Sequence, residues 1–207
     1  MNFLVIIVII CIYIFFKLNN GDKSWLSFYI CGRNRKMVTI VVGTNRKNSV
    51  SRKIAEYYQT LLDTESQIVD LADLPIDFIG NALYENNGQN EDFNAMREQV
   101  QGVDKLVFVV PEYNGSFPGV LKAFIDGLKY PEGIRNKKAA LIGVSSGVQG
   151  GVFAMSHLTD IFNYLGMHVL ALKPKLAGIE KNFDGSKVTN DLYNSLLKQQ
   201  ADMLKNF

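Results

Sequence analysis

Residues 108–128 read FVVPEYNGSFPGVLKAFIDGL. An apolar run that starts at Lys105 ends here in a polar, Gly-rich loop, PEYNGSFPG, and the loop passes at once into a helical pattern. Pro118 stands where that helix begins, a position at which its fixed φ suits the first turn and its missing N–H costs nothing. This succession of strand, loop and helix predicts one unit of an α/β sheet.

The unit recurs along the chain. Val38–Val42 is a short β-branched run followed by GTNRKNSVS and then by RKIAEYYQTLLD, whose apolar residues return at three and four. SQIVDL is a second strand candidate. Asn90 can cap EDFNAMREQV, whose Glu91 and Asp92 suit a helix start. KAALIGV predicts a fourth strand, GGVFAMSHLTDIFNYLG a helix, HVLAL a fifth strand, and TNDLYNSLLKQQADMLKNF a closing amphipathic helix. Near-continuous apolar strands alternating with helices point to a parallel sheet covered on both faces. Five such units predict an α/β fold in a single domain over residues 37–207: a flavodoxin-like doubly wound five-stranded parallel sheet of order 2-1-3-4-5.

One connection stands apart. Residues 71–90, LADLPIDFIGNALYENNGQN, form a longer loop than a packed domain ordinarily carries. Leu74, Ile76, Phe78, Ile79, Leu83 and Tyr84 make it apolar, so it is either a mobile surface excursion or a lid or subunit contact.

Residues 1–36 differ from the rest. Residues 3–16, FLVIIVIICIYIFF, are apolar without a break. As a helix they would span about 21 Å at ~1.5 Å each, short of a hydrocarbon core of about 30 Å. The segment has neither the basic start nor the small-residue cleavage site of a secretory signal. One reading is that translation begins at Met37, immediately before the first strand; the other is a hydrophobic anchor. In the second, Lys17, Lys23, Arg33, Arg35 and Lys36 lie C-terminal to the apolar run and would keep the domain on the cytoplasmic face. Both readings imply a cytoplasmic location, with a membrane as partner only if the leader is retained.

Charge excludes one class of partner. The leader holds five of the 22 Lys and Arg residues and one of the 20 Asp and Glu residues, which leaves 17 against 19 and a net charge of −2 in residues 37–207. No basic stripe interleaved with aromatics is present, so nucleic acid is not expected. Both cysteines, Cys11 and Cys31, are in the leader, and the domain therefore has no thiol nucleophile, disulfide or Cys-ligated metal.

In an open parallel sheet, ligands sit beyond the carboxyl ends of the strands where the order reverses. Strands one, three and four end in the loops richest in Gly, Ser and Asn. The first, GTNRKNSVS, leads into a helix N-terminus, where free N–H groups and the positive dipole end favour phosphate. Thr44, Ser49 and Ser51 offer hydroxyls and Arg46 a charged fork; Ser49 or Ser51 can equally be a helix cap. The loop is neither a Walker loop nor G-x-G-x-x-G. In the second, Gly115 and Gly119 allow close backbone approach, Tyr113 has a flat face, and Glu112, Asn114 and Ser116 have polar edges, all of which suit a planar, edge-polar ring.

The third loop, SSGVQGG, also raises a competitor. Residues 143–147 match the G-x-S-x-G elbow of serine hydrolases, with Ser145 followed by Asp160 and His168 in that fold's order. Asp160 falls in mid-helix and His168 at the wrong end of a strand, which argues against it. His157 and His168 have no metal-ligand spacing and read as a helix-surface and a strand-end residue. Strong chemistry then has to come from a bound cofactor.

Together, GTNRKNSVS, PEYNGSFPGVLKAFIDGL and SSGVQGG resemble the NADPH-dependent FMN reductases of flavodoxin-like fold, which include quinone, azo and chromate reductases. The resemblance implies that Thr44, Arg46, Ser49 and Ser51 hold the FMN phosphate. It implies that Pro111, Glu112, Tyr113, Asn114 and Ser116 border the isoalloxazine ring, with Ser145, Ser146, Gly147 and Gly150 on its far edge. It further implies hydride transfer from NAD(P)H to FMN and then to a small acceptor by a ping-pong route, and a homodimer or dimer of dimers. A flavodoxin-type electron carrier is the rival, although its Thr-rich phosphate loop and acidic surface are not seen.

Overall fold

The computed structural model describes residues 37–207, and the leader readings fall outside the described residues. In chain order the elements are β1 (Val38–Val42), α1 (Val50–Leu61), β2 (Ser66–Asp70), α2 (Phe78–Asn81), α3 (Glu91–Gln101), β3 (Lys105–Pro111), α4 (Gly119–Asp126), β4 (Lys138–Val144), α5 (Val152–Tyr164), β5 (His168–Val169), β6 (Lys175–Leu176), α6 (Ile179–Asn182) and α7 (Asp191–Asn206). The strands run parallel in the order β2-β1-β3-β4-β5, as expected, with β6 also paired to β4.

Strand side chains alternate between two cores. Ile40, Val42, Val107, Val109 and Ile142 face α1 and α7 through Ile54, Tyr58, Leu197 and Leu204. Val41, Leu106, Phe108, Val110 and Leu141 face α3, α4 and α5, where Phe93, Phe124 and Phe162 are fully buried. Phe108 and Phe162 meet with ring centroids 4.7 Å apart. Helix starts follow the sequence: Ser49, Asn90 and Asn190 each accept an N–H from the first turn of α1, α3 and α7.

Two expectations need correction. The fifth strand was expected over residues 168–172, but β5 stops at Val169 and the edge resumes only at β6. Ala139 pairs with Val169 and Gly143 with Lys175, so the outer chain has six steps where β4 has four. The two extra residues bulge outward before Pro174, which has no N–H to give a ladder. The buried Gln200 of α7 fills the gap, its Nε2 donating to Leu141 O at 3.0 Å and Leu172 O at 2.8 Å.

Residues 71–90 are likewise not a structureless loop. They form two 3₁₀ turns around α2. Leu71, Phe78, Ala82 and Leu83 enter the core, Phe78 stacking on Phe93 at 5.7 Å, while Ile76, Ile79 and Tyr84 remain exposed. The apolar content thus divides between packing and surface, and Gly127 makes room for it. A Cβ there would lie 2.3 Å from the Phe93 ring and 2.5 Å from Leu83.

Candidate functional site

The strand register builds the site. Val42 pairs with Val109, and Val109 with Ile142, whereas β3 and β4 continue together to Pro111 and Val144. The chain therefore leaves β1 two residues lower than it leaves its neighbours, a step of roughly 6–7 Å at ~3.3 Å per residue. After β1 the chain turns to one face as α1; after β3 it turns to the other as α4. This reversal opens a crevice at the carboxyl edge. It holds a cavity of about 260 Å³ lined by residues 44 and 46–51, 111–113, 144–146 and 179–180.

The floor is the loop after β1. Gly43 lies close under α4, where a Cβ would be 3.1 Å from Leu121 Cδ2. Thr44 is buried, its hydroxyl 2.8 Å from Tyr113 Oη and accepting the Arg46 N–H at 3.3 Å. Ser49 caps α1 by accepting the Arg52 N–H at 3.1 Å. The N–H groups of Asn48, Ser49, Val50 and Ser51 have no acceptor among the described residues, and the exposed Arg46 and Lys47 stand beside them. Free donors at the positive end of a 12-residue helix, with two cations alongside, are groups of the kind that attract an anion.

The walls come from β3 and β4. Asn114 and Gly115 both have positive φ, 50° and 72°, and Tyr113 and Ser116 exchange two backbone hydrogen bonds, so the loop closes as a tight primed turn. Glu112 Oε2 accepts the Gly151 N–H at 3.0 Å. Gly143 must be glycine for the wall after β4 to close, because a Cβ would sit 2.2 Å from Gly150 O. At Gly115 and Gly147 an added Cβ would meet nothing within 4 Å, so both loop tips are open to solvent.

Of the residues singled out by sequence, Thr44, Arg46, Ser49, Ser51, Pro111, Glu112, Tyr113, Ser145 and Ser146 line this one cavity. Asn114, Ser116, Gly147 and Gly150 do not. Asn114 belongs to the primed turn, Ser116 Oγ pairs with His157 Nδ1 at 2.9 Å, and Gly147 is at an exposed tip. Gly150 is buried, where a Cβ would lie 2.8 Å from the Lys175 backbone. His157 is on the surface of α5 as expected, and its tie to Ser116 was not legible.

Sequence reading missed Lys47, Asn48, Val50, Val144, Ile179 and Glu180 in the lining. The last two arrive because β6 pairs with the end of β4, after which Ile179 N–H donates to Ser145 O at 3.1 Å. The only sequence signal is Pro174 and Gly178 bracketing Leu176.

The hydrolase alternative is overturned by geometry. Ser145 Oγ donates its only proton to Gly147 O and accepts the Gly150 N–H, both at 2.9 Å, so that proton is tied within its own loop and no histidine base is its partner among the described residues. His168 pairs with Lys138 at the amino end of β4, whereas Ser145 follows its carboxyl end, roughly 20 Å away over seven residues at ~3.3 Å each. Asp160 is exposed within α5.

Beside the site, Asp70 ends β2. Its Oδ1 accepts the Ala72 N–H at 3.0 Å and its Oδ2 lies 3.5 Å from Arg52 Nη1. Burial raises its pKa, and the Ala72 N–H and Arg52 oppose that rise.

A parallel sheet of order 2-1-3-4-5 with a crevice at its carboxyl edge, floored by free main-chain donors, defines a flavodoxin-like protein, and those donors suit a phosphorylated ligand. Residues 36–174 match the family model of NADPH-dependent FMN reductases. The chain is 32% identical over 171 residues to a quinone reductase of Pseudomonas putida, covering 80% of this chain and 90% of that one. It is 34% identical over 148 residues to a 2-hydroxy-1,4-benzoquinone reductase of a Burkholderia species, covering 67% and 76%. Among solved structures it resembles the flavoenzyme NAD(P)H:(acceptor) oxidoreductase FerB of Paracoccus denitrificans, with TM-score 0.66, 25% identity, and 83% of this chain and 96% of that one covered. The chain belongs to the NADPH-dependent FMN reductase family, and it is an oxidoreductase that uses FMN and NAD(P)H.

Proposed function

We propose that the crevice seats FMN with its phosphate on the loop after β1 and its ring between the loops after β3 and β4, and that the enzyme reduces a small acceptor, a quinone before azo compounds or chromate. The observation that carries this reading is the meeting, in one cavity, of the free N–H groups of residues 48–51, Arg46 and the residue pairs Glu112–Tyr113 and Ser145–Ser146. Quinone reductase relatives support the acceptor class.

FMN, when bound, supplies the two-electron chemistry between NAD(P)H and the acceptor. The chain's own share is placement. Arg46 and the start of α1 hold the phosphate, Ser51 and Ser146 supply hydroxyls, and Pro111 to Tyr113 border the ring. Ring stacking at about 3–3.5 Å is a near-attack geometry that needs no side-chain acid or base, so no catalytic side chain is assigned. One open face then serves NAD(P)H and acceptor in turn.

The test is an absorption spectrum of the purified protein with FMN, followed by anaerobic NADPH. We expect a yellow protein that bleaches with NADPH and regains colour with a quinone; a protein that stays colourless in excess FMN would refute the reading. Steady-state rates should give parallel double-reciprocal lines, and intersecting lines would count against the shared site. A flavodoxin-type carrier would be nearly inert with NADPH and quinone.

We further infer a homodimer in the cytoplasm. Exposed Ile76, Ile79, Tyr84, Phe153 and Tyr164 support a subunit contact, and light scattering tests it. Among the described residues no helix is long and apolar enough to cross a membrane.

A further inference from the structure

Helix α5 has 13 residues, and its N-cap, Gly151, lies in the left-handed region at φ 79° with no side chain to cap the helix. A residue 39 positions away anchors that N-cap: Glu112 Oε2 takes the Gly151 N–H at 3.0 Å, the contact that a Glu makes to the N-cap in a capping box. Glu112 is itself fixed at its stem, its N–H donating to Val144 O at 2.9 Å. The positive end of the α5 dipole favours a carboxylate here, and a hydrogen bond to a charged acceptor is of the stronger kind. Among the described residues no other side-chain hydrogen bond joins the loop after β3 to the loop after β4.

We propose that Glu112 is a positioning residue: by anchoring the N-cap of α5, its side chain sets the spacing of the two loops and so the seat of the ring between them. This rests on the FMN reading above.

The test uses the full chain with Glu112→Gln, which keeps an oxygen acceptor without charge, Glu112→Asp, which is one methylene short, and Glu112→Ala. Three quantities are read: hydrogen exchange of the Gly151 amide in FMN-free protein, the FMN dissociation constant by flavin fluorescence, and the fine structure of the long-wavelength absorption band of bound FMN. For Asp and Ala we expect the Gly151 amide to exchange at least about tenfold faster. FMN should bind about tenfold more weakly, equivalent to about 1.4 kcal/mol, with the band broadened toward that of free FMN. Gln, which keeps the acceptor but gives up the charge, should fall between wild type and Asp on all three.

If Ala fails to fold, the Gln and Asp pair decides alone. Unchanged Gly151 exchange in Asp and Ala would overturn the proposal, as would faster exchange with unchanged FMN affinity and band shape. A Gln variant more impaired than Asp would also overturn it, since Gln keeps the acceptor at its full reach. Wild-type protein that binds no FMN would sink the FMN reading and the ring seat with it, while Gly151 exchange would still report the cap.

Discussion

Gln200 is the residue whose loss should reveal how the interrupted sheet edge is held. Its side chain is fully buried and donates to Leu141 O at 3.0 Å and Leu172 O at 2.8 Å, while its own Oε1 has no partner. Gln200→Leu keeps the approximate volume and strands two carbonyls, each at a cost of about 1–3 kcal/mol. It also removes the unpartnered Oε1, a relief of the same order for one group. The balance is a loss of about 1–3 kcal/mol. In a domain of this size about 1 kcal/mol moves the melting point by about 2–4 °C, so a fall of roughly 4–8 °C is expected for a central loss of about 2 kcal/mol. Gln200→Glu should be worse, because it removes both donors and buries a carboxylate. Thermal melts by circular dichroism, with urea unfolding to check an unchanged m-value, measure both. A Leu variant that melts within about a degree of wild type, against the expected scale, would show that the bulged carbonyls need no such donor.

Other predictions follow from the site and its support. Arg46→Ala should weaken FMN binding by about 1.5–3 kcal/mol, the range for a hydrogen bond to a charged group; equilibrium dialysis checks it, and unchanged affinity would remove Arg46 from the site. Gly143→Ala puts a Cβ 2.2 Å from Gly150 O, so it should cost about 1–3 kcal/mol as overpacking and weaken FMN binding by displacing the loop after β4. A variant with wild-type melting and affinity would count against that close approach. Asp70 has its pKa raised by burial: the folded state binds this proton more tightly than the unfolded chain. Its contribution to stability therefore falls as pH rises through the interval from the unfolded value of about 3.9 to the higher folded one, and is flat above it. Asp70→Asn should accordingly gain on wild type in urea unfolding as pH rises from about 3.9 through the higher folded value. A relative loss over that interval would contradict the direction of the shift.

The sequence made most of the fold legible because its strands are buried on both sides. Val38–Val42, the run from Lys105 and KAALIGV each lack a polar face, so their state and place at the centre can be read locally. Asn90 was readable as a cap for the same local reason. The failures are all long-range. HVLAL is as apolar as a strand, but its continuation depends on Pro174 and on Gln200, which comes from another helix. Residues 71–90 look too apolar for a loop because the space beside Gly127 that receives Phe93 and Leu83 is made by α4. Ile179 and Glu180 reach the cavity only through the pairing of β6.

The same distinction governs what the site residues can do. A hydroxyl counted from sequence is free in principle, yet in the fold several are already committed. Ser145 both donates and accepts within its own loop, Ser116 is held by His157, and Thr44 joins Tyr113 to the Arg46 N–H. These bonds give shape to the crevice, fastening each wall to its neighbour. What remains unspent at the floor is the row of backbone N–H groups at the start of α1 and the Arg46 guanidinium, which has no partner among the described residues. In the proposed reading, affinity for a phosphate would come from main-chain donors, which any sequence with this turn and this helix start presents, joined by Arg46 and Lys47. The hydroxyl-rich composition of the three loops thus led to the one crevice at the carboxyl edge, for a reason that is mostly architectural.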